Sequence, residues 1–303
     1  MAPVVSSARP IPFSPLSRRL CLGDELRRLR QEQGFTTGKA AGLVPIDRTL
    51  LTRIETGQRR VKVDQVMSIV EALGVGRDHG RWQEFHELAR DADTTGWWET
   101  AAFRDMGSRQ MRPADLEAGA CRIRWYDFVL VPGLLQAASY IEALHGTALS
   151  YRPSFDRRAA IKGRLRRQQE VFRPGGPRIE AILEETVIRR QVVPADAMLE
   201  QLHHLLEIMD ARVMLRVLPV GGRLVGVRPP RSPCTLYDFG TGDPPISVAE
   251  ALTEDVLLRD TDSVASHEQL WSGLERLALS PEDTRALIAG QAATLAREGE
   301  AGR

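Results

Sequence analysis

With 303 residues, 43% of them hydrophobic and 27% charged, the chain is long enough to bury a sizeable core and fits two domains better than one. Its 41 basic and 40 acidic residues leave a formal charge of +1, so the whole-chain balance favours neither nucleic acid, membrane nor an acidic substrate, and any basic surface must be local. Cys21, Cys121 and Cys234 are odd in number and far apart, which argues against a disulfide framework or a cysteine zinc site, and no apolar run approaches the roughly 20 residues of a membrane span. A cytoplasmic protein is expected.

The opening MAPVVSSARPIPFSPLSRRL, rich in proline and lacking an unbroken apolar segment, predicts a disordered tail over residues 1–20. From Leu22 the pattern turns helical, with Leu22, Leu26 and Leu29 on one side and Gly34 as the stop. A second short helix fits Thr36 to Leu43, with a threonine cap and with Ala40 and Ala41 small enough for a close crossing. Val44, Pro45 and Ile46 break it. Asp47 then caps a third helix running to about Thr56, where Gly57 can take the left-handed conformation that ends it. On that helix Leu51 and Ile54 point inward, while Arg48, Thr49, Thr52 and Arg53 point the other way. Val63, Val66, Ile69, Val70 and Leu73 supply one more apolar face before Gly74.

Several short helices in so little chain, two of them joined by a tight turn, predict a helix-turn-helix whose second helix can enter a DNA major groove. Residues 1–75 hold twelve basic and seven acidic residues, so a local positive excess of five sits where phosphate contacts need it.

The stretch LGDELRRLRQEQGFTTGKAAGLVPIDRTLLTRIETGQRRVKVDQVMSIVEALGV resembles the Xre or phage-repressor family of helix-turn-helix domains, most specifically in TRIETG. The resemblance implies double-stranded DNA as partner, base contacts from Arg48, Thr49 and Arg53 with Thr52 beside them, and phosphate contacts from Thr37, Gln58, Arg59 and Arg60. Two positions depart from the family pattern: Pro45 where the turn carries glycine, and Asp47 where the cap is serine or threonine. Leu50 stands where a polar residue is common, and could meet a thymine methyl or be simply exposed.

Residues 75–80 are the expected boundary, giving a DNA-binding domain over 21–76 and a second domain over 77–296, with a helix from His79 to Ala92 leaving the first. Trp97 and Trp98 fit a ligand wall, an interface patch or, preferably, ordinary packing. Pro113 to Trp125 is predicted as a helix with Leu116, Ala120 and Ile123 inward, and Pro132 as the start of another ending near Gly146. Asp156 to Phe172 is helical with Arg157, Arg158, Lys162, Arg164, Arg166 and Arg167 spread over several faces; it fits a second nucleic-acid contact less well than a solvated helix paired with acidic groups. RIEAILEE, RVMLRVLPV, CTLYDF and PISVAE have the composition of strands, Pro194 to Met209 that of a helix, and SPEDTRALIAG that of a helix start with Ser280 as cap. The fold class expected is multidomain: an all-α, phage-repressor-like helix-turn-helix domain, then an α+β domain with a mostly antiparallel sheet.

VPGLLQAASYIEAL, RLRRQQEVF, ILEETVIRRQV, QLHHLLE, VMLRVLPVG and ALSPEDTRALIAG resemble, in this order, the C-terminal domain of actinobacterial WhiJ-like, Scr-family antitoxin-like regulators. That resemblance implies transcriptional control, with a small partner protein from a neighbouring gene. Departures are Ala137, where threonine is frequent, and the shortened loop GGRLVGVRPPRSP.

The usual catalytic motifs GxSxG, Walker A, GxGxxG and HExxH are missing from the sequence, and adjacent His203 and His204 point to different sides of a helix, so no catalytic residue, metal or cofactor is expected. Glu184 and Glu185 with Arg189 and Arg190 fit a surface ion-pair cluster better than a charged site. The reading favoured is a sequence-specific, homodimeric transcriptional regulator whose second domain senses a partner protein or small ligand. The alternative is an enzymatic or small-molecule-binding domain carrying a DNA-targeting head.

Overall fold

The computed structural model describes residues 12–147, 156–209, 212–251 and 253–301. They form two compact units, one running to Glu99 and taking in Gly240–Asp243, the other holding the remainder from Thr100.

The first unit is a bundle of five helices: α1 (Pro15–Glu32), α2 (Thr37–Ala41), α3 (Arg48–Glu55), α4 (Val63–Ala72) and α5 (Gly80–Ala92). Helix α1 starts seven residues before Leu22, because the Ser14 hydroxyl accepts the Ser17 N–H at 3.0 Å and Pro15 occupies the first turn, where its missing N–H costs nothing. The tail expected over residues 1–20 is therefore helical from Pro15 on, and one of the prolines that suggested it is part of the helix start; residues 1–11 lie outside those described. Thr36 caps α2, which stops at Ala41 rather than Leu43.

Asp47 caps α3 through Oδ1, which accepts the Leu50 N–H at 2.7 Å, so the carboxylate performs the capping task that a serine or threonine hydroxyl would. Gly57 follows with φ +68°, a conformation that favours glycine, and a Cβ there would also press on Leu20, 2.7 Å from Cδ2 and 3.3 Å from Cα. Where α1 crosses α3, a Cβ on Gly23 would lie 2.5 Å from the Glu55 carbonyl oxygen. The two backbones touch there.

Leu26, Leu29, Leu51, Ile54, Val66 and Val70 form the centre of the core. Helix α5 belongs to it. Phe85, Ala89 and Ala92 lie at helical spacing and are buried against α1 and α4, so this helix closes the bundle instead of leaving it, and the unit ends near Glu99 rather than at 76.

The second unit contains α6 (Ser108–Gly119), β1 (Ala120–Asp127), α7 (Ala138–Thr147), α8 (Arg157–Val171), β2 (Arg178–Glu184), α9 (Glu185–Arg189), α10 (Ala195–Ile208), β3 (Val213–Leu218), β4 (Cys234–Phe239), β5 (Ile246–Ala249), β6 (Val256–Leu258), α11 (Thr261–Leu277) and α12 (Pro281–Ala301). The sheet order is β3-β2-β1-β4-β5-β6. Strands β3, β2 and β1 run parallel, joined by helical crossovers, whereas β1, β4, β5 and β6 pair antiparallel. The α+β class with a largely antiparallel sheet holds, with parallel pairs added.

The central strand corrects one expectation. Helix α6 ends at Gly119 and the predicted helix through Trp125 becomes β1. Leu116, Ala120 and Ile123 have helical spacing by coincidence; Arg122 and Arg124 alternate with Ile123 and Trp125 and are tolerated in a central strand because each meets a carboxylate. Arg122 pairs with Glu180 on β2 at 2.6 Å, and Arg124 with Asp238 on β4 at 2.8 Å and Glu268 on α11 at 3.2 Å. Residues 133–135 form one turn of 3-10 helix before α7, so the helix expected from Pro132 starts later. Helix α11, capped by Asp260, was not foreseen; its Val264, Trp271 and Leu274 cover Tyr126, Ile182 and Leu236 of the sheet. Among the described residues no helix is long and apolar enough to cross a membrane.

Candidate nucleic-acid interface

Helix α3 is held from behind. Leu51 and Ile54 are buried in the bundle, and so is Glu55, which receives a two-pronged contact from Arg30 of α1: Nε to Oε1 at 2.6 Å and Nη2 to Oε2 at 2.8 Å. The third arm of Arg30 donates from Nη1 to the Phe35 carbonyl at 2.9 Å, which ties the end of α1 to the same point. Burial would lower the Arg30 pKa, but the hydrogen bond to Glu55 outweighs it and the guanidinium is held above its ordinary value. The glutamate of TRIETG thus orients the helix. Its partner, twenty-five residues upstream, is invisible to any local pattern.

The opposite face is open. Arg48, Thr49, Thr52 and Arg53 are all exposed, and neither arginine makes an ion pair among the described residues. The Thr52 hydroxyl donates to the Arg48 carbonyl at 2.9 Å, which leaves its oxygen as an acceptor, whereas the Thr49 hydroxyl has no such engagement. Two five-donor guanidinium forks, one acceptor and one uncommitted hydroxyl form a surface suited to base edges and phosphates. Leu50 is partly buried against the core, so the option that it is simply exposed does not hold.

The flanking candidates differ among themselves. Thr37 is half-buried in the first turn of α2, directly after the Thr36 cap. Gln58 and Arg59 are exposed, their N–H groups bonded to the Arg53 carbonyl at 2.9 and 3.2 Å. Arg60 is already engaged, by Glu99 at 3.0 Å and Asp93 at 3.6 Å, and Lys62 shares Asp93 at 3.2 Å. The sequence reading put Arg59 and Arg60 on one footing; the structure separates them.

In the second unit the motifs VPGLLQ, RLRRQQEVF and QLHHLLE converge, although they are far apart in the chain. Gln136 donates to the Val131 carbonyl at 2.6 Å and accepts from Arg164; Gln168 donates to the carbonyls of Gly133 and Gln136 at 3.0 and 2.7 Å; Gln201 accepts the Ala137 N–H at 2.7 Å and donates to the Leu135 carbonyl at 2.8 Å. The 3-10 turn offers carbonyls that no ladder satisfies, and three glutamines satisfy them. Arg167 meets the buried Glu117 through Nε at 2.9 Å and through Nη2, and Gln110 through Nη1 at 2.6 Å. Burial together with the neighbouring Arg167 draws Arg164 down to about 10. Beside this network burial pushes the Asp127 carboxyl up to about 6, against the N–H groups of Val129, Leu130 and Phe128; burial and the charges of Asp127 and Asp255 push Glu250 up to about 7.

Of the residues expected as an ion-pair cluster, Glu185 meets Arg189 at 2.6 Å, whereas Glu184 accepts from the Tyr126 hydroxyl at 2.8 Å and is not part of that pair. Of the tryptophan pair Trp98 is buried, and its ring lies edge-on to Trp97 with 5.9 Å between centroids.

Fold and site together define a DNA-binding protein of the helix-turn-helix class, with a sheet-containing domain attached. A helix-turn-helix domain model matches residues 22–82. Residues 110–290, more than half of the chain, match the model of the domain of unknown function DUF5753, and the chain belongs to that family. No curated protein and no solved structure matches it.

Proposed function

We propose that the protein is a sequence-specific transcriptional regulator of the Xre type, in which a DUF5753 domain of the WhiJ-like, Scr-family kind senses a partner protein or small ligand and biases the DNA affinity of the head. In this reading it carries no catalytic step and works as a homodimer in the cytoplasm, because one short recognition helix reads too few base pairs and two heads spaced by about one DNA turn read enough. One observation carries the reading: α3 is fixed from behind by Leu51, Ile54 and the Arg30–Glu55 pair, while Arg48 and Arg53 on its outer face meet no carboxylate among the described residues. An arginine with nothing to neutralise it, on a helix that cannot turn, is suited to a partner that supplies the negative charge.

The test is a binding titration of the purified full chain against DNA from upstream of its own gene and against random duplex, at several salt concentrations. Specific binding in the range of about 10 nM or tighter, with a steep loss on added salt, supports the reading. Equal affinity for both duplexes sinks it.

A further inference from the structure

Helix α8 carries basic residues on every side, and the structure sorts them into two kinds. Ala160, Gly163, Arg167 and Val171, at helical spacing, are buried, and their arginine is matched by Glu117. Along the other side α8 forms the wall of an open groove of about 680 Å³, with Phe103 and Glu142 contributed from elsewhere in the unit. That volume lies inside the range for small-molecule sites and well short of what a duplex or a folded partner occupies.

Its chemistry is uneven. Arg157, Arg158 and Lys162 line it, and among the described residues none of the three is paired with a carboxylate: Arg157 donates to the Glu142 main-chain carbonyl at 3.0 Å, Lys162 reaches the Ala102 carbonyl at 3.5 Å, and Arg158 is exposed. Residues 148–155, ALSYRPSF, contain no acid that could neutralise them. Glu142 is the one carboxylate of the lining. Arg166, which is paired with Glu170, and Gln169 add polar groups, and the apolar part is Phe103, Ile161 and Leu165: the last two project from α8 between the cations, and the Lys162 ammonium sits over the Phe103 ring, 4.9 Å from its centroid, so that a cation and an aromatic face are presented side by side. In a chain of nearly balanced charge, three uncompensated cations around an apolar strip are a local excess that a ligand would have to balance.

We propose that this groove binds a small amphiphilic anion, a phosphate ester or carboxylate with an apolar or aromatic body, its charged head held by Arg158 and Lys162 and its body lying along Phe103, Ile161 and Leu165. The proposal rests on the regulator reading, for which it supplies the ligand class and the sensing site.

Calorimetric titration of the full-length chain with octyl phosphate, octanoate and adenosine monophosphate tests it, with inorganic phosphate and the uncharged octyl glucoside as comparisons. One-to-one binding of at least one of the three organic anions is expected, with no binding of octyl glucoside and weaker binding of inorganic phosphate; which of them binds separates a phosphate head from a carboxylate and an alkyl body from an aromatic one. Arg158→Glu together with Lys162→Glu should weaken that binding at least about tenfold. Both side chains are exposed, and a melting temperature equal to that of the natural chain confirms that the doubly substituted protein is folded. Failure of all three anions at millimolar concentration, binding unchanged in the double variant, equal binding of octyl glucoside, or inorganic phosphate binding as well as the organic anions would overturn the proposal. So would loss of random-duplex affinity in the double variant without any small-anion binding, which would make the groove a nucleic-acid contact. The ligand-free operator titration reads the head alone, so a failed groove and a failed regulator give different results.

Discussion

Two arginine-bearing helices, α3 in the head and α8 in the DUF5753 domain, have comparable composition and different employment. On α3 the partition is complete: its one carboxylate, Glu55, faces inward to Arg30, and the arginines face outward with no ion pair among the described residues. On α8 it runs within the arginines themselves, since Arg167 is buried on Glu117, Arg166 meets Glu170 along the helix, and Arg157 and Arg158 are left to the groove. Counting arginines therefore says little about binding. What matters is whether each guanidinium finds a carboxylate within its own unit, because a matched pair positions structure and an unmatched one waits for a charge from outside.

The sharpest way to break that contrast is to unmatch a matched pair. Arg30→Ala takes from the buried Glu55 its two-pronged partner and leaves it only the longer contact to Arg27 at 3.7 Å, so the head should lose about 3 kcal/mol, the lower end for a broken buried pair, read as an earlier transition in chemical denaturation followed by a probe in the first unit. A loss within about 0.5 kcal/mol, the size expected for a plain surface site, would mean that Glu55 is solvated and that α3 is not fixed in the way described.

A smaller effect separates the second unit. Asp127 has a folded-state pKa of about 6, above its ordinary 3.8, so its contribution to stability is fully present below the lower value and is lost as pH rises through the higher one. Asp127→Asn keeps an acceptor for the Val129 and Leu130 N–H groups and removes the titration. The variant's stability relative to the natural chain should therefore rise between about pH 4 and about pH 7 by on the order of 2–3 kcal/mol. A difference that stays constant across that window would place Asp127 in solvent.

Much of the head was legible in the sequence because its signals are local. Asp47 as a cap, Gly57 as a left-handed stop and the inward Leu51 and Ile54 each depend on neighbours within four residues. Less could be read wherever a distant partner decides. Arg122 and Arg124 disguised β1, since only strands β2 and β4 explain why a central strand tolerates them. Pro15 looked like a mark of disorder although its cap is as local as that of Asp47, Ser14 accepting the Ser17 N–H three residues on; four prolines in one stretch outweighed that signal. The groove beside α8 joins residues 103, 142 and 157–169, and no spacing rule connects them. For the interface itself, the sequence nominated the outward face of α3 and missed the Arg30 clamp that presents it. Within the nominated set the structure distinguishes side chains that sequence treats alike.

Arg53→Ala tests the reading residue first. Removing one guanidinium from a base edge should cost about 1–3 kcal/mol of specific binding and relax a single operator position, leaving random-duplex affinity nearly unchanged. Equal losses on both duplexes would move Arg53 from the base-reading set to the phosphate set.

The smallest effect separates neighbours. Arg59 is exposed and has no ion pair among the described residues, whereas Arg60 is held by Glu99 and Asp93 within its own unit. If both touch phosphate, Arg60 must first give up part of those contacts, and its net gain from DNA is smaller by what it already has, on the order of 0.2–1 kcal/mol for partly exposed pairs. Arg59→Ala should therefore lower the salt slope of binding by about one and weaken all sequences alike, while Arg60→Ala should change the slope less. The converse substitution sharpens the point: Glu99→Gln releases Arg60 from its nearer carboxylate and removes a negative charge from the head, so affinity for any duplex should rise slightly at low salt and converge with that of the natural chain at high salt. Identical slopes for Arg59→Ala and Arg60→Ala, with no gain from Glu99→Gln, would show that an internal carboxylate does not decide which arginine is available to DNA.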